Sequence, residues 1–138
     1  MNTCYTYFSI KGNFEPDDIT EILGLHPFES HKEGESRARG NGVYSCSTWN
    51  FGRCNEYNVN VNEQIRKTIS PLLDKIELLK HIKDKYAVDF YIEVVPEIHV
   101  GESVPILGLD LDIIDFCHET RTVVDIDMYV LEQCDSAD

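Results

Sequence analysis

The sequence predicts an α+β fold: a mainly antiparallel sheet of five to six strands with helices packed on one face, of ferredoxin-like character. Three observations lead there. Strand-type alternation recurs at both ends of the chain. A long helical stripe runs through the middle and leads into a strongly β-prone run. And the strands carry polar residues on one side only, the mark of a sheet with one covered and one wet face. At 138 residues the chain is read as one domain, 1–138, with an ordinary apolar fraction of 42% and charged fraction of 27%.

Cys4–Ile10 is expected as the first strand, with Thr6, Phe8 and Ile10 on one face and Tyr5, Tyr7 and Ser9 on the other. Pro16–Leu23 follows as a short helix, with Pro16 at its start, Asp17 and Asp18 at its positive end and Gly24 as its stop. His26–Gly42 reads as a polar loop, long enough to carry function. Val43–Phe51 is expected as the second strand, and Tyr57–Val61 as a short third. From Asn62, taken as an N-cap, apolar residues recur every three or four positions as far as Tyr86. Pro71 interrupts this stripe. A proline inside a helix costs about 3 kcal/mol, so a break is expected at Ser70-Pro71, with Ser70 capping the second helix. Val88–Val95 is the next strand, Pro96–Pro105 a turn region, and Ile106–Leu111 a strand with Leu107, Leu109 and Leu111 inward. Asp112 caps a helix over Ile113–Glu119, and Val123–Leu131 closes the sheet before a frayed tail from Glu132.

Charge is unevenly placed. The net charge is −13, and residues 87–138 hold thirteen acids against one base, Arg121. Such a field repels nucleic acid and anionic membranes and attracts cations and basic proteins. There is no run near the ~20 apolar residues a membrane helix needs, and the N-terminus lacks a signal-peptide pattern, so the expected location is cytoplasmic. Five cysteines (Cys4, Cys46, Cys54, Cys117 and Cys134) without regular spacing argue against a disulfide framework and for reduced thiols, Cys54 and Cys134 being the exposed pair.

Some motifs are individually weak but fall in a defined order. They are Tyr7-Phe8-Ser9-Ile10, then Ile22-Leu23-Gly24-Leu25-His26-Pro27, a polar loop over Gly34–Gly42, Ser47-Thr48-Trp49, and a leucine-rich helical segment leading to a strand. This series, over about Tyr5–Leu131, resembles the bacterial family catalogued as domain of unknown function 4279. The resemblance implies a small cytoplasmic bacterial protein and supplies no catalytic residue.

Three groups of residues are candidates for function. Asp89, Tyr91, Glu93, Asp125, Asp127 and Tyr129 fall on the outward faces of their strands and would suit a basic protein partner: tyrosines give contact area, acids steer. Asp110, Asp112, Asp125 and Asp127 would converge on Ca²⁺ or Mg²⁺ if their strands were neighbours; otherwise they are a solvated sheet face with one helix cap. Arg37, Arg39, Trp49 and Arg53 form the one basic, aromatic region, able to hold an anionic small molecule or to fold back on the acidic face. No nucleophile, metal-protease or nucleotide motif occurs, and no cofactor is expected. The expected function is a non-enzymatic protein-binding module using an acidic face, an immunity-type role being its most concrete form by analogy. The alternative is a small-ligand or metal-binding regulatory domain. The sequence leaves monomer and homodimer open.

Overall fold

The computed structural model describes residues 2–56 and 60–132. It is α+β, with a six-stranded, mostly antiparallel open sheet and four α-helices. The first strand, β1 (Thr3–Asn13), lies at its centre, antiparallel to both neighbours. Cys4, Thr6, Phe8 and Ile10 are buried on one side of it, as the alternation predicts. At Gly12 a Cβ would stand 2.2 Å from the Ala87 carbonyl oxygen, so the close approach of the neighbouring strand admits only glycine.

Helix α1 (Pro16–Leu23) forms on the expected signals. Pro16 opens it, Asp17 and Asp18 lie in the first turn, and Gly24 closes it in the left-handed conformation (φ 65°), its N–H donating to the Thr20 carbonyl at 2.8 Å. Inside the expected loop lies a short strand, β2 (Glu29–His31), paired to β3 (Ser47–Cys54).

Strand β3 starts four residues later than expected. Val43 and Tyr44 belong instead to a hairpin in the loop: Ser36 bridges Val43, the Tyr44 N–H donates to Glu35, and Gly34 donates to the Tyr44 carbonyl. Nor does Gly52 end the strand. With φ 71° it forms a bulge against β1, where the register shifts between Thr6 and Phe8, and β3 runs on to Cys54.

The central helical stretch divides as predicted at Ser70-Pro71. Helix α2 (Val61–Ile69) passes into a 3₁₀ turn over Ser70–Leu72, and α3 (Ile76–Lys85) begins only after it. Ser70 therefore does not cap the second helix. The cap of α2 is Asn60, whose side chain accepts from the Asn62 N–H at 3.0 Å. Of the short strand expected over Tyr57–Val61, positions 57–59 lie outside the described residues, Asn60 bridges Ile106, and Val61 is helical.

Strand β4 (Ala87–His99) continues four residues beyond Val95, through the expected turn. Pro96 fits because of what lies beside it. On that side β4 pairs with β5 (Thr122–Ile126) and β6 (Tyr129–Leu131), both parallel and in one continuous register. Asp127 and Met128, between the two, fall opposite Val95 and Pro96, so the ladder lapses where proline has no N–H to give. The closing strand expected over Val123–Leu131 is thus found, interrupted once.

The strand expected over Ile106–Leu111 is not formed. Only Ile106 makes an isolated bridge, and helix α4 (Leu111–Thr120) begins at Leu111 with Asp110, not Asp112, at its cap. Pro105 and Gly108 explain the loss: both break a strand ladder. Leu107, Leu109 and Leu111 are exposed rather than inward.

The sheet order is β2-β3-β1-β4-β5, with β6 also on β4. Phe8, Ile10, Trp49, Phe90, Ile92 and Val94 share one apolar core with Ile19 and Leu23 of α1, Ile65 and Ile69 of α2, Leu79 and Ile82 of α3, and Ile113 and Phe116 of α4. Gln64, 1% exposed, is the polar tie of this core: it accepts from the Thr6 hydroxyl and donates to the carbonyls of Cys4 and Glu56.

Candidate functional site

The β4–β5–β6 end of the sheet gathers the residues expected to meet a partner. Register places Glu93 against Asp125, Tyr91 against Val123 and Glu97 against Tyr129. Strand alternation then puts Asp89, Tyr91, Glu93 and Asp125 on the side of the sheet away from the core. Asp127, in the gap between β5 and β6, donates its N–H to the Val94 carbonyl at 2.8 Å and accepts from the Tyr129 hydroxyl at 2.9 Å.

These six are not equally available. Asp89, Asp125, Asp127 and Tyr129 are exposed, and Tyr91 is half-buried with the Lys11 ammonium 5.3 Å from its ring centre. Glu93 is buried, with the same ammonium 3.4 Å from its Oε1. Its carboxyl is pushed up to about 7, first by burial and then by a hydrogen bond to Asp125, with Lys11 opposing both.

The four aspartates expected to share a metal separate into two places. Asp110 and Asp112 both bond Arg66 of α2, Asp112 in bidentate fashion at 3.1 and 3.2 Å. The guanidinium holds Asp112 below the usual carboxylate range. Asp125 and Asp127 stay with β4 and Tyr129. With no strand over Ile106–Leu111 the neighbouring strands assumed for the cluster do not exist. Among the described residues no group of three or more His, Cys, Asp or Glu is placed to hold a metal ion.

The basic, aromatic set is also divided. Trp49 has no exposed surface and belongs to the core, its indole N–H donating to the Thr20 hydroxyl at 3.0 Å. Alternation within β3 puts Trp49 on the core side together with Phe51. Arg53 lies 4.2 Å over the Tyr5 ring, and Arg39 is exposed in the 32–46 loop. Arg37 alone of the four borders a cleft between that loop and the sheet. Cys54, expected to be exposed, is half-buried, and Cys134 lies outside the described residues.

Sequence reasoning missed the apolar half of the site. Thirteen of the seventeen exposed large hydrophobic residues among those described fall within 100–131, including Val104, Ile106, Leu107, Leu109, Leu111 and Ile126. That is the same segment in which seven carboxylates face the single base Arg121. A groove of about 360 Å³ opens there, lined by Val61 and Ile65 of α2, Val94, Val124 and Ile126 of the sheet, and Leu107 to Leu109. Pro105 and Gly108 were the available signal: they disfavour a strand ladder and so leave the leucines around Gly108 at the surface.

The outermost strand is therefore amphipathic. Val124 and Ile126 face the groove, Asp125 and Asp127 the other side, and no described strand pairs with its outer backbone. Neither the curated proteins nor the solved structures include a match to the chain. The family model for a domain of unknown function, DUF4279, matches residues 2–131, and the chain belongs to that family.

Proposed function

We propose that the chain is a non-enzymatic protein-binding module whose β5–β6 edge takes an extended, cationic segment of a partner protein. One observation carries this reading: exposed apolar side chains and the exposed carboxylates of Asp125 and Asp127 coincide on an open sheet edge. Large exposed apolar patches mark interaction surfaces, and an open edge offers backbone groups for strand addition. A partner strand alternating apolar and basic residues would set the first against Ile126 and the groove, the second against Asp125 and Asp127. In this reading the four helices back one face of the sheet, and the ferredoxin-like character lies in that layering. An immunity-type role in the bacterial cytoplasm, masking a basic toxin, is its most concrete form.

The test uses a short peptide alternating valine and lysine, with its glutamate counterpart as control. Anisotropy should show binding of the lysine peptide that weakens with salt, and hydrogen exchange should slow at amides 122–131. Equal binding of both peptides, or no protection of that strand, contradicts the proposal.

A further inference from the structure

A second concave site lies on the far side of the sheet from this edge. The loop from Lys32 to Cys46 folds as a hairpin beside β1, β2 and β3 and leaves a cleft of about 300 Å³. That is at the small end of the range for ligand pockets. On a chain of net charge −13, its lining holds no Asp or Glu, but both Lys11 and Arg37. Thr48 and Asn50 from β3 and Ser45 from the loop add hydrogen-bonding groups.

The walls are flat rings. His31 and Tyr44 stack at 3.6 Å between ring centres and 10° between planes, with the Arg37 guanidinium 5.5 Å over Tyr44. Tyr7 is fixed edge-on by Phe28 at 5.5 Å. Burial lowers the His31 pKa from its ordinary value, with Glu29 and Glu35 opposing. The Asn50 amide is already oriented, accepting from the Ser9 hydroxyl at 2.6 Å and donating to Glu29 at 3.5 Å.

We infer that this cleft binds a small anion carried on a planar ring, such as an aromatic carboxylate or a nucleoside monophosphate. The anion lies between Lys11 and Arg37, and the ring packs on Tyr7 and the His31–Tyr44 pair. Lys11 and Arg37 on one lining select charge, with Glu93 beside Lys11 as the competing anion, and π faces select a flat body. The cleft has one link to the protein-binding edge, Lys11, whose ammonium also meets Glu93 at 3.4 Å.

Calorimetric titration tests it with adenosine monophosphate, benzoate, adenosine and inorganic phosphate, together with alkylation of Cys46, which also lines the cleft. At least one of the two planar anions should bind at micromolar to low-millimolar concentration and protect Cys46. Lys11→Ala and Arg37→Ala should each weaken it at least tenfold, and Arg39→Ala should not. Arg37 lies in the loop, so its variant keeps the test valid if Lys11→Ala fails to fold. No binding of either planar anion overturns the inference. Adenosine binding as tightly as its monophosphate removes the anion site. Phosphate binding as tightly as the nucleotide removes the ring site.

Discussion

Glu93 of β4 stands directly beside Asp125 of β5, while Lys11 of β1 approaches Glu93 from the opposite strand at 3.4 Å. Tyr7 occupies the β1 position in that row, and Lys11, in register with Asp89, reaches Glu93 diagonally. Like charges on neighbouring strands repel, and burial together with Asp125 pushes the Glu93 carboxyl up to about 7.

Stability should therefore fall as pH rises through neutrality. The Glu93 pKa moves from 4.5 to about 7 on folding, so the folded state holds a proton that the unfolded chain releases between those values. The stabilisation is full below the unfolded value and is lost as pH passes the folded one, on the order of 2 kcal/mol. Melting curves of wild type and Glu93→Gln should diverge from pH 5 to 8, the variant falling less. Parallel curves would show that Glu93 is ionised throughout.

Gln64 should be among the costliest polar residues to replace. Its side chain satisfies the Thr6 hydroxyl and two backbone carbonyls inside the core. Gln64→Leu keeps the volume but strands those groups, at about 2–4 kcal/mol. Urea denaturation measures this; a loss below about 1 kcal/mol would mean that water reaches the site.

Arg121 ends α4 in the left-handed conformation, φ 57°, which glycine adopts without strain. Its carbonyl accepts from Lys83 at 2.7 Å, a bond glycine keeps. Arg121→Gly should raise stability by about 0.5–1 kcal/mol in the same assay. Destabilisation instead would assign the arginine side chain a packing role.

Much of the fold was legible because local signals agreed with the tertiary outcome. Pro16 and Gly24 bound α1, and Thr6, Phe8 and Ile10 alternate into the core. Pro71 breaks the helical stretch where its missing N–H requires. Other segments misled because a local pattern was satisfied elsewhere. Val43 and Tyr44 have strand character, but a loop hairpin uses their backbone. Pro96 reads as a terminator, yet it sits where β5 and β6 part and its lack of a donor costs nothing. The leucines of Ile106–Leu111 alternate like a buried strand but lie exposed, in a segment preceded by Pro105 and interrupted by Gly108. For the site, the outward position of Asp89, Tyr91, Glu93 and Asp125 followed from alternation alone. That β5 runs parallel to β4, with a groove beside it, depends on the path of α4 and could not be read from the strands.

Affinity capture from a lysate of the native host probes the β5–β6 edge. Wild type and the Asp125→Lys, Asp127→Lys double variant serve as paired baits, with capture quantified by mass spectrometry. A partner-binding role for this edge predicts a protein rich in Lys and Arg that wild type retains and the double variant loses at least tenfold. Equal recovery of every partner by both baits would contradict it.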